Sequence, residues 1–392
     1  MKSKYKTVFV GVSGGVDSSV SAALLKEQGY NVVGVFIRTW TPDFIECTWR
    51  DERRDAMRVC AHLGIPFLEC DAEKEYKEGV ADYMIEEYKK GKTPNPDVMC
   101  NREVKFGVFW NFAKSHGADF IATGHYAVNT PARLTGAVHL LDSLNTKKSQ
   151  KVLRKLHVFA FSPTPVASQG LLALRKSKDD SKDQSYFLWT LTQEDLRHTL
   201  FPVGHLNKTE VRKLAEKYKL PTATKKDSQG VCFLGQLDMK DFLKHYIKSE
   251  KGNVLDEKGE IIGTHDGAVF FTLGERHGFR VNKKEDNEKP LYVISKNIKD
   301  NTITVSLEPG SGGNKESNYL EIEKVNWISS IPEKDKKYTA QIRYHGEHFS
   351  CKVEVSEDKK AKIIFDKNIL VDSGQSIVVY DVNACLGGGI VG

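Results

Sequence analysis

Residues 7–18 read TVFVGVSGGVDS, and this stretch decides the fold class. Its first half is apolar and β-branched, which is typical of a buried strand. Glycines and serines follow, and Val20, Ala23 and Leu24 then recur at helical spacing. The stretch therefore predicts a strand, a tight glycine-rich turn and the first turns of a helix.

The turn has the features of a phosphate-binding loop. Gly14 and Gly15 allow backbone N–H groups to point inward, and the helix N-terminus adds partial positive charge. Ser18 supplies a hydroxyl group, and Asp17 is placed to hold a magnesium ion. The GxxxxGK[ST] pattern needs a lysine that this turn lacks, and adjacent glycines do not fit GxGxxG. The alternative is a tight strand–helix turn that binds no ligand.

The sequence around the turn alternates between strands and helices. Residues 32–37, 67–70 and 119–124 have the apolar, β-branched character of strands, and residues 51–63 have helical periodicity. Such alternation predicts a parallel sheet with helices on both faces. In these sheets the ligand binds beyond the carboxyl ends of the strands, where the strand order reverses.

The rest of the chain changes in character. Residues 128–180 are rich in Ser, Thr, Pro and Lys, which favours either a solvated surface insertion or a basic arm that faces RNA. Beyond about residue 250, short strands alternate with glycine turns, and from about residue 317 alternating strands dominate. Regularly spaced short strands predict a small barrel or sandwich.

Composition limits the classes of protein. A chain of 392 residues is long enough for two or three domains. The seven cysteines have no CxxC spacing, which argues against a secreted disulfide framework or a zinc ribbon and favours a reducing cytoplasm. The strand that begins at Thr7 leaves no room for a signal peptide, and no apolar run reaches membrane-spanning length. The net charge of +6 is compatible with a nucleic-acid partner without establishing one.

Two cysteines lie in loop-like segments. Cys100 follows two prolines in TPNPDVMCN (93–101), with Asp97 three residues before it. Cys232 lies between glycines in DSQGVCFLG (227–235). Spacing alone favours two buried structural cysteines, and the alternative is a thiol pair that exchanges sulfur if the fold brings them together.

The glycine-rich turn resembles the PP-loop of the ATP pyrophosphatase superfamily, whose members transfer AMP and release pyrophosphate. Taken with other segments, it resembles the tRNA-specific 2-thiouridylase family. The matching segments span nearly the whole chain in the family's order: SGGVDS (13–18), NPDVMCNREVKF (95–106), ATGHYA (122–127), KDQSYFL (182–188), FPVGHLNKTEVRKLA (201–215), DSQGVCFLG (227–235), TLGERHG (272–278) and CLGGGI (385–390).

The resemblance implies roles for particular residues. The implied ATP-binding residues are Gly11, Val12, Ser13, Gly14, Gly15, Val16, Asp17, Ser18, Ile37 and Gly124. The implied contacts with the target base or the tRNA are Asn95, Pro96, Asp97, His125, Lys182, Asp183, Gln184, Arg343, Tyr344 and Gln375. The implied catalytic residues are Cys100 as nucleophile, Cys232 as persulfide carrier and Asp97 as general acid or base.

The resemblance also implies a fold and a reaction. We expect an α/β PP-loop catalytic domain at 1–240, a small β-rich central domain at 241–308 and a tRNA-contacting β-barrel at 309–392. The implied reaction is adenylation of the 2-oxygen of a wobble uridine, followed by sulfur transfer from a cysteine persulfide. It requires ATP, Mg²⁺ and persulfide sulfur. The implied partners are tRNAs for glutamate, glutamine and lysine and a sulfur donor, either a cysteine desulfurase or a relay protein, with no membrane.

Three other functions compete with this interpretation. A PP-loop ligase that acts on a small molecule would explain the turn but neither cysteine segment. An RNA-binding protein with a regulatory nucleotide site would tolerate loss of Cys232, whereas the enzyme would not. A sulfurtransferase for another RNA position fits poorly with the DVMCN segment (97–101) and with the lack of a CxxC pair.

Overall fold

The computed structural model describes residues 5–45, 49–132, 170–227, 238–282, 289–308 and 318–392. Within these ranges, no helix is long and apolar enough to cross a membrane. The α-helices are α1 Val16–Glu27, α2 Trp49–Leu63, α3 Glu73–Tyr76, α4 Tyr83–Lys89, α5 Pro96–Cys100, α6 Phe109–Ser115, α7 Gln193–His198, α8 Lys208–Lys217 and α9 Met239–Lys244. The π-helical segments are Lys77–Asp82 and Asn101–Val108, and the 3₁₀ turns are Ser185–Leu188 and Ala268–Phe270.

The strands fall into three sheets. The first sheet contains β1 Thr7–Gly11, β2 Asn31–Arg38, β3 Phe67–Asp71, β4 Phe120–Ala122 and β7 Thr199–Leu200. The second contains β8 Gly252–Leu255, β9 Ile261–His265, β10 Phe279–Val281, β11 Tyr292–Asn297 and β12 Thr302–Ser306. The third contains β5 Ala127–Pro131, β6 Leu172–Lys176, β13 Tyr319–Trp327, β14 Tyr338–Gln341, β15 His348–Val355, β16 Ala361–Phe365, β17 Ser376–Asp381 and β18 Ala384–Val391.

The first sheet is parallel throughout, in the order β3-β2-β1-β4-β7. Val8 of β1 is paired with Val32 on one side and with Phe120 on the other. The chain therefore leaves β1 for one side of the sheet and later returns on the other side. The carboxyl ends of β1 and β4 meet at this reversal, which is the place where such sheets bind ligands.

Strand β1 is apolar at every central position because both faces of the sheet are covered. Val8 and Val10 are fully buried in a core that includes Leu25 of α1 and Val59 of α2. Phe9 points to the opposite face and packs in a second core, which includes residues of the α3–α6 region. This continuous apolar run is the expected pattern for a doubly covered parallel strand.

The second sheet is a small mixed sheet in the order β10-β9-β8-β12-β11. Only the pairing of β12 with β8 is parallel. It encloses its own core, which contains Val254, Phe271, Val293 and Ile303. This arrangement agrees with the predicted β-rich centre of the chain.

In the third sheet, six strands close into a barrel in the order β13-β16-β15-β14-β17-β18, because β13 also pairs with β18. The fold class predicted from the sequence is thus confirmed in its parallel sheet, its β-rich centre and its terminal barrel. Strands β6 and β5 extend the barrel sheet, since Cys385 of β18 pairs with Leu174 of β6. A two-stranded extension from the first half of the chain is therefore hydrogen-bonded to the last strand.

The predicted insertion at 128–180 is ordered at both ends. Strand β5 lies at its beginning and β6 near its end, and the two pair with each other in antiparallel register. Leu172 and Leu174 are buried in the main core. The ends of the stretch are therefore part of the folded protein, whereas residues 133–169 lie outside the described residues.

Candidate active site

The predicted phosphate loop connects β1 to α1 at the reversal point. Gly14 has a φ of 71°, and a Cβ atom there would lie 2.6 Å from the Glu52 carbonyl oxygen. Gly15 is the N-cap of α1 and makes no side-chain capping bond. The first N–H groups of α1 are therefore left without a side-chain cap, as an anion-binding helix terminus requires.

The serines of the loop fix its shape. The Ser18 Oγ atom donates to the Gly15 carbonyl oxygen at 3.2 Å and lies 3.3 Å from the Ser13 Oγ atom. Ser18 is buried, whereas Ser13 is exposed at the mouth of the loop. These contacts hold the turn closed around its backbone N–H groups.

Gly124 lies directly against the phosphate loop. A Cβ atom at this position would be 2.8 Å from the Ser18 nitrogen and 3.1 Å from the Asp17 Cβ atom. Ile37 lies on the other side of β1, and its Cδ1 atom would be 3.7 Å from a Cβ atom placed on Gly11. The structure thus brings together all ten residues that the resemblance assigns to ATP, and their contacts with ATP stay a prediction.

Asp17 has cationic and hydroxyl partners. The Lys208 Nζ atom lies 2.7 and 2.8 Å from the two carboxylate oxygens of Asp17. The Tyr126 hydroxyl group also donates to Asp17 at 2.8 Å. Burial, followed by the charge of Asp17, raises the pKa of Tyr126, so this hydroxyl remains a donor at all physiological pH values.

Cys100 ends a short helix, α5, whose start is fixed by the sequence. The Asn95 Oδ1 atom accepts hydrogen bonds from the N–H groups of Asp97 and Val98 at 3.1 and 3.2 Å. Pro96 occupies the first helical position, where its fixed φ angle is favourable. Cys100 is only 3% exposed, and a π-helical segment follows it. Asn95 and Pro96, predicted to meet the target base, thus also build the turn that presents Asp97 and Cys100.

Burial raises the pKa of Asp97, and the positive charge of Lys105 partly offsets that effect. Burial holds the pKa of His125 well below its ordinary value, and the positive charge of Lys105 lowers it further. His125 is therefore neutral. Lys105, on the π-helical segment, is the cation that acts on both groups.

His125 is more enclosed than a direct RNA contact requires. Its side chain is buried, and its Nδ1 atom lies 2.8 Å from the Thr123 Oγ1 atom. The rings of Phe106 and Phe201 lie 5.8 and 6.2 Å away. His125 directly follows Gly124, and its ring lies beside that of Phe106, in the segment that follows Cys100.

The terminal barrel contributes Tyr344 to this region, and we call Tyr344 and its neighbour Phe187 the aromatic edge. Tyr344 packs against Phe187, with ring centroids 4.4 Å apart. Burial raises the pKa of Tyr344 to about 12, with smaller contributions from the charges of Asp183 and Asp97. Arg343, beside Tyr344, is exposed. Tyr344 therefore lies near Asp97, as a shared base-binding site requires.

The residues of the KDQ segment are held by neighbouring protein groups. The Lys182 Nζ atom lies 3.1 Å from an Asp227 carboxylate oxygen, and the Gln184 Oε1 atom accepts from the Tyr126 N–H group. Asp183 accepts from the Ser177 N–H group and the Ser185 hydroxyl group. Each of these side chains therefore already has a structural partner. Their roles as tRNA contacts stay predictions.

A buried ion pair anchors the Cys100 segment to the other two sheets. The Lys296 Nζ atom lies 2.6 Å from the Asp372 Oδ2 atom, and these side chains are 8% and 4% exposed. The Thr93 hydroxyl donates to the same carboxylate oxygen at 2.7 Å. The Gln375 Oε1 atom accepts from the Asp372 N–H group at 3.2 Å, and the predicted contact of Gln375 with tRNA stays a prediction.

Cys232 and its neighbours, residues 228–237, lie outside the described residues. Cys60, Cys70, Cys100, Cys351 and Cys385 carry free thiols. No group of three or more metal-binding His, Cys, Asp or Glu side chains occurs within the described ranges. The single carboxylate of Asp17 still suits Mg²⁺, which is commonly held by one or two carboxylates, substrate phosphates and water.

The sequence interpretation missed Lys105, Tyr126, Lys208 and Arg212. All four lie inside segments quoted above, but only Lys105 is near its partner, Asp97, in the sequence, because Tyr126 and Asp17 are 109 positions apart. Lys208 contacts Asp17 across 191 positions of sequence, so no local signal could have found it. Arg212, one turn further along α8, bonds Asp227 at 2.6 Å.

The fold and the site define a PP-loop nucleotide-binding α/β protein. Comparison with known families supports this class and matches three consecutive domains of the chain. The profile of the "tRNA methyl transferase HUP domain" matches residues 6–236. The "tRNA methyl transferase PRC-barrel domain" matches residues 240–307, and the "Aminomethyltransferase beta-barrel domain" matches residues 317–391.

Curated relatives identify the family. The chain is 37% identical, over 98% of its length and 99% of theirs, to proteins named tRNA-specific 2-thiouridylase MnmA from Francisella tularensis subsp. holarctica and subsp. novicida. The chain therefore belongs to the tRNA-specific 2-thiouridylase family. A solved structure, the U34-tRNA thiolase NcsA of Methanococcus maripaludis, shares 19% identity over 63% of this chain and 68% of that one, with a TM-score of 0.32.

Proposed function

We propose that this protein is a tRNA-uridine 2-sulfurtransferase that uses ATP to activate the 2-oxygen of a wobble uridine. One observation carries the proposal: the phosphate loop and the Cys100 turn are linked by a short chain of neighbours. Gly124 lies against Asp17, His125 follows Gly124, and Lys105 acts electrostatically on both His125 and Asp97. Membership of the family supports the same conclusion.

The first step activates the base. The uracil 2-oxygen attacks the α-phosphorus of ATP, an O–P bond forms and pyrophosphate leaves. Asp97 accepts the N3 proton, which makes the 2-oxygen more nucleophilic, and it returns the proton after the exchange. Burial raises the pKa of Asp97 and so makes it a stronger base than an exposed aspartate.

The second step exchanges sulfur for oxygen. The terminal sulfur of a persulfide on Cys232 attacks C2, and AMP leaves with the former 2-oxygen. The Cys100 thiolate then attacks the Cys232 Sγ atom, and the electrons of the broken S–S bond pass to the sulfur on the base. A disulfide between Cys100 and Cys232 remains, and a cellular thiol reductant returns both thiols.

The phosphates need charge compensation, which the uncapped N-terminus of α1 supplies in part. Asp17 would hold a Mg²⁺ ion together with phosphate oxygens and water. Bound there, Mg²⁺ offsets the negative charge on the phosphates.

The partners in this proposal are tRNAs for glutamate, glutamine and lysine, and a sulfur donor that loads Cys232. A cysteine desulfurase or a relay protein would fill the donor role. The base must leave the stack of the anticodon loop to reach Asp97. A cytoplasmic location is part of the proposal, because the free thiols of the described cysteines suit a reducing compartment.

Mass spectrometry of nucleosides tests the proposal. Unmodified glutamate tRNA is incubated with the protein, ATP, Mg²⁺ and a persulfide source, with Cys232→Ala in parallel. We expect 2-thiouridine only with the unaltered protein and only with ATP. ATP cleavage without 2-thiouridine would instead support a PP-loop ligase acting on a small molecule.

A further inference from the structure

The phosphate loop lacks a cation of its own. Loops of the GxxxxGK[ST] type carry a lysine that reaches the terminal phosphates of the nucleotide. Here residues 11–18 contain no lysine or arginine, and their single charged side chain is Asp17. A triphosphate entering this loop would meet a carboxylate, so a cationic side chain that binds it has to come from another part of the chain.

The first residue of α8 brings such a charge to the loop. The Lys208 Nζ atom lies 2.7 Å from the Asp17 Oδ1 atom and 2.9 Å from the Asp227 Oδ1 atom. The Lys208 side chain is only 15% exposed. Its backbone is fixed as well, because the Lys208 N–H group donates to Asp179 at 2.8 Å.

Both carboxylates keep a partner if Lys208 turns away. Asp17 retains the hydrogen bond from the Tyr126 hydroxyl group. Asp227 retains Arg212 at 2.6 Å and Lys182 at 3.1 Å. Movement of the Lys208 ammonium group therefore leaves neither carboxylate without a donor, which keeps the cost of the movement low.

We propose that Lys208, paired with Asp17 in this structure, is the phosphate-binding cation of this loop and moves to the triphosphate when ATP binds. This inference rests on the proposed use of ATP. The transfer removes the ammonium group from Asp17 and frees that carboxylate for the Mg²⁺ ion that accompanies the nucleotide. Lys208 thus does for this loop what the missing loop lysine does in GxxxxGK[ST] proteins.

Binding calorimetry with ATP and AMP tests the inference directly. For Lys208→Ala we expect the Kd for ATP to rise about 10- to 100-fold, the scale of a hydrogen bond between charged groups. The Kd for AMP should change less than about threefold, because the lost partner contacts the terminal phosphates. Lys208→Arg should recover part of the ATP affinity. Lys217→Ala, at the exposed end of the same helix, is the matched control.

A second variant separates phosphate binding from a merely structural ion pair. Without Mg²⁺, Asp17→Asn should bind ATP more tightly than the unaltered protein, since Lys208 no longer has a competing carboxylate. With Mg²⁺, the same variant should bind ATP more weakly. Weaker binding under both conditions would overturn the proposed transfer.

The outcomes distinguish this inference from the proposed function. If the unaltered protein fails to bind ATP, the proposed function falls. If it binds ATP and Lys208→Ala binds equally well, only the role of Lys208 falls. An equal loss of ATP and AMP binding in a variant that melts normally would also overturn that role, since it would show a general effect on the site.

Discussion

The phosphate loop and the Cys100 turn are neighbours that differ in their electrostatics, since the first is surrounded by ion pairs and the second by buried groups. Around Asp17 and Asp227, three cationic side chains form short ion pairs, and most of these groups are partly exposed. Around Cys100 the groups are buried, the His125 ring is neutral, and burial raises the pKa of Asp97.

This difference follows from the chemistry that each region would perform. A triphosphate carries several negative charges and needs mobile counter-charges that tolerate water. Sulfur transfer to an activated carbon needs a dry pocket, because water would compete with the persulfide for that carbon. The comparison predicts that substitutions in one region should leave the activity of the other region intact.

The largest expected effect comes from Cys100→Ser. Formation of 2-thiouridine should fall at least ~10³-fold, because the hydroxyl group is a far weaker nucleophile at neutral pH than the thiol. The Kd for ATP should be unchanged. Mass spectrometry and calorimetry measure the two quantities, and Cys351→Ala in the barrel is the control. Full turnover by Cys100→Ser would disprove the two-cysteine scheme.

Asp97→Asn should lower kcat by about 10²- to 10⁴-fold, the usual contribution of a general base. The same change should raise the Tm at pH 7. The folded-state pKa of Asp97 is raised, so the carboxyl group favours folding when protonated and loses that contribution as pH rises through the folded pKa.

The gain in Tm from Asp97→Asn should therefore shrink as the pH is lowered through the raised pKa of Asp97, because the aspartate then becomes protonated. Thermal melts at several pH values measure this effect. A stabilisation independent of pH would show that the buried charge is not its cause. Asp97 would then need another explanation for its position beside Lys105.

Asp372→Ala should reduce the free energy of unfolding by about 3–5 kcal/mol, because it leaves the buried Lys296 ammonium group without its carboxylate partner, with the Phe271 carbonyl oxygen as its remaining acceptor. Thiolation should fall as well, since Thr93 loses its hydrogen bond to Asp372, whereas the affinity of the phosphate loop for ATP should persist. Denaturant titration measures the change. The exposed Asp51 beside Arg54 is the control position, and Asp51→Ala should have little effect.

The smallest effect is expected at the aromatic edge. Tyr344→Leu should raise KM for tRNA about 10-fold if a base stacks there, whereas Tyr344→Phe should retain most of the affinity. Steady-state kinetics with saturating ATP measure both variants. An equal loss in the two variants would assign the effect to the hydroxyl group rather than to stacking.

The sequence predicted the fold class well, because β1 and the SGGVDS turn (13–18) combine an apolar run, adjacent glycines and a helix start within a few residues. Such patterns can be recognised in a sequence because strand, turn and helix preferences depend mainly on neighbouring residues. The partners of that turn were harder to predict. Only the family resemblance placed Gly124 at this turn. The structure supplies the physical reason, because a side chain at position 124 would collide with the Ser18 backbone nitrogen.

Other residues have structural contacts that no pattern could reveal. Gln375 braces the loop around Asp372. The Asn95 cap of α5 is an exception, because Asn followed by Pro is a helix-start signal that the sequence itself carries. Lys208 reaches Asp17 only because α8 packs beside α1, which is a tertiary contact. Residue type suggested polar contacts at these positions, but only packing determines which partner each side chain has.

The pairing of β6 with β18 has a consequence for synthesis of the protein. Strand β6 is complete when residue 176 has been made, yet its partner in β18 begins at Ala384. At about 5–20 residues per second, the ribosome needs at least ~10 s to supply that partner. During this time the β5–β6 pair has an unpaired edge, which is a template for aggregation. A fragment truncated near residue 240 would keep that edge permanently, so chaperone dependence should be greater for the fragment than for the whole chain.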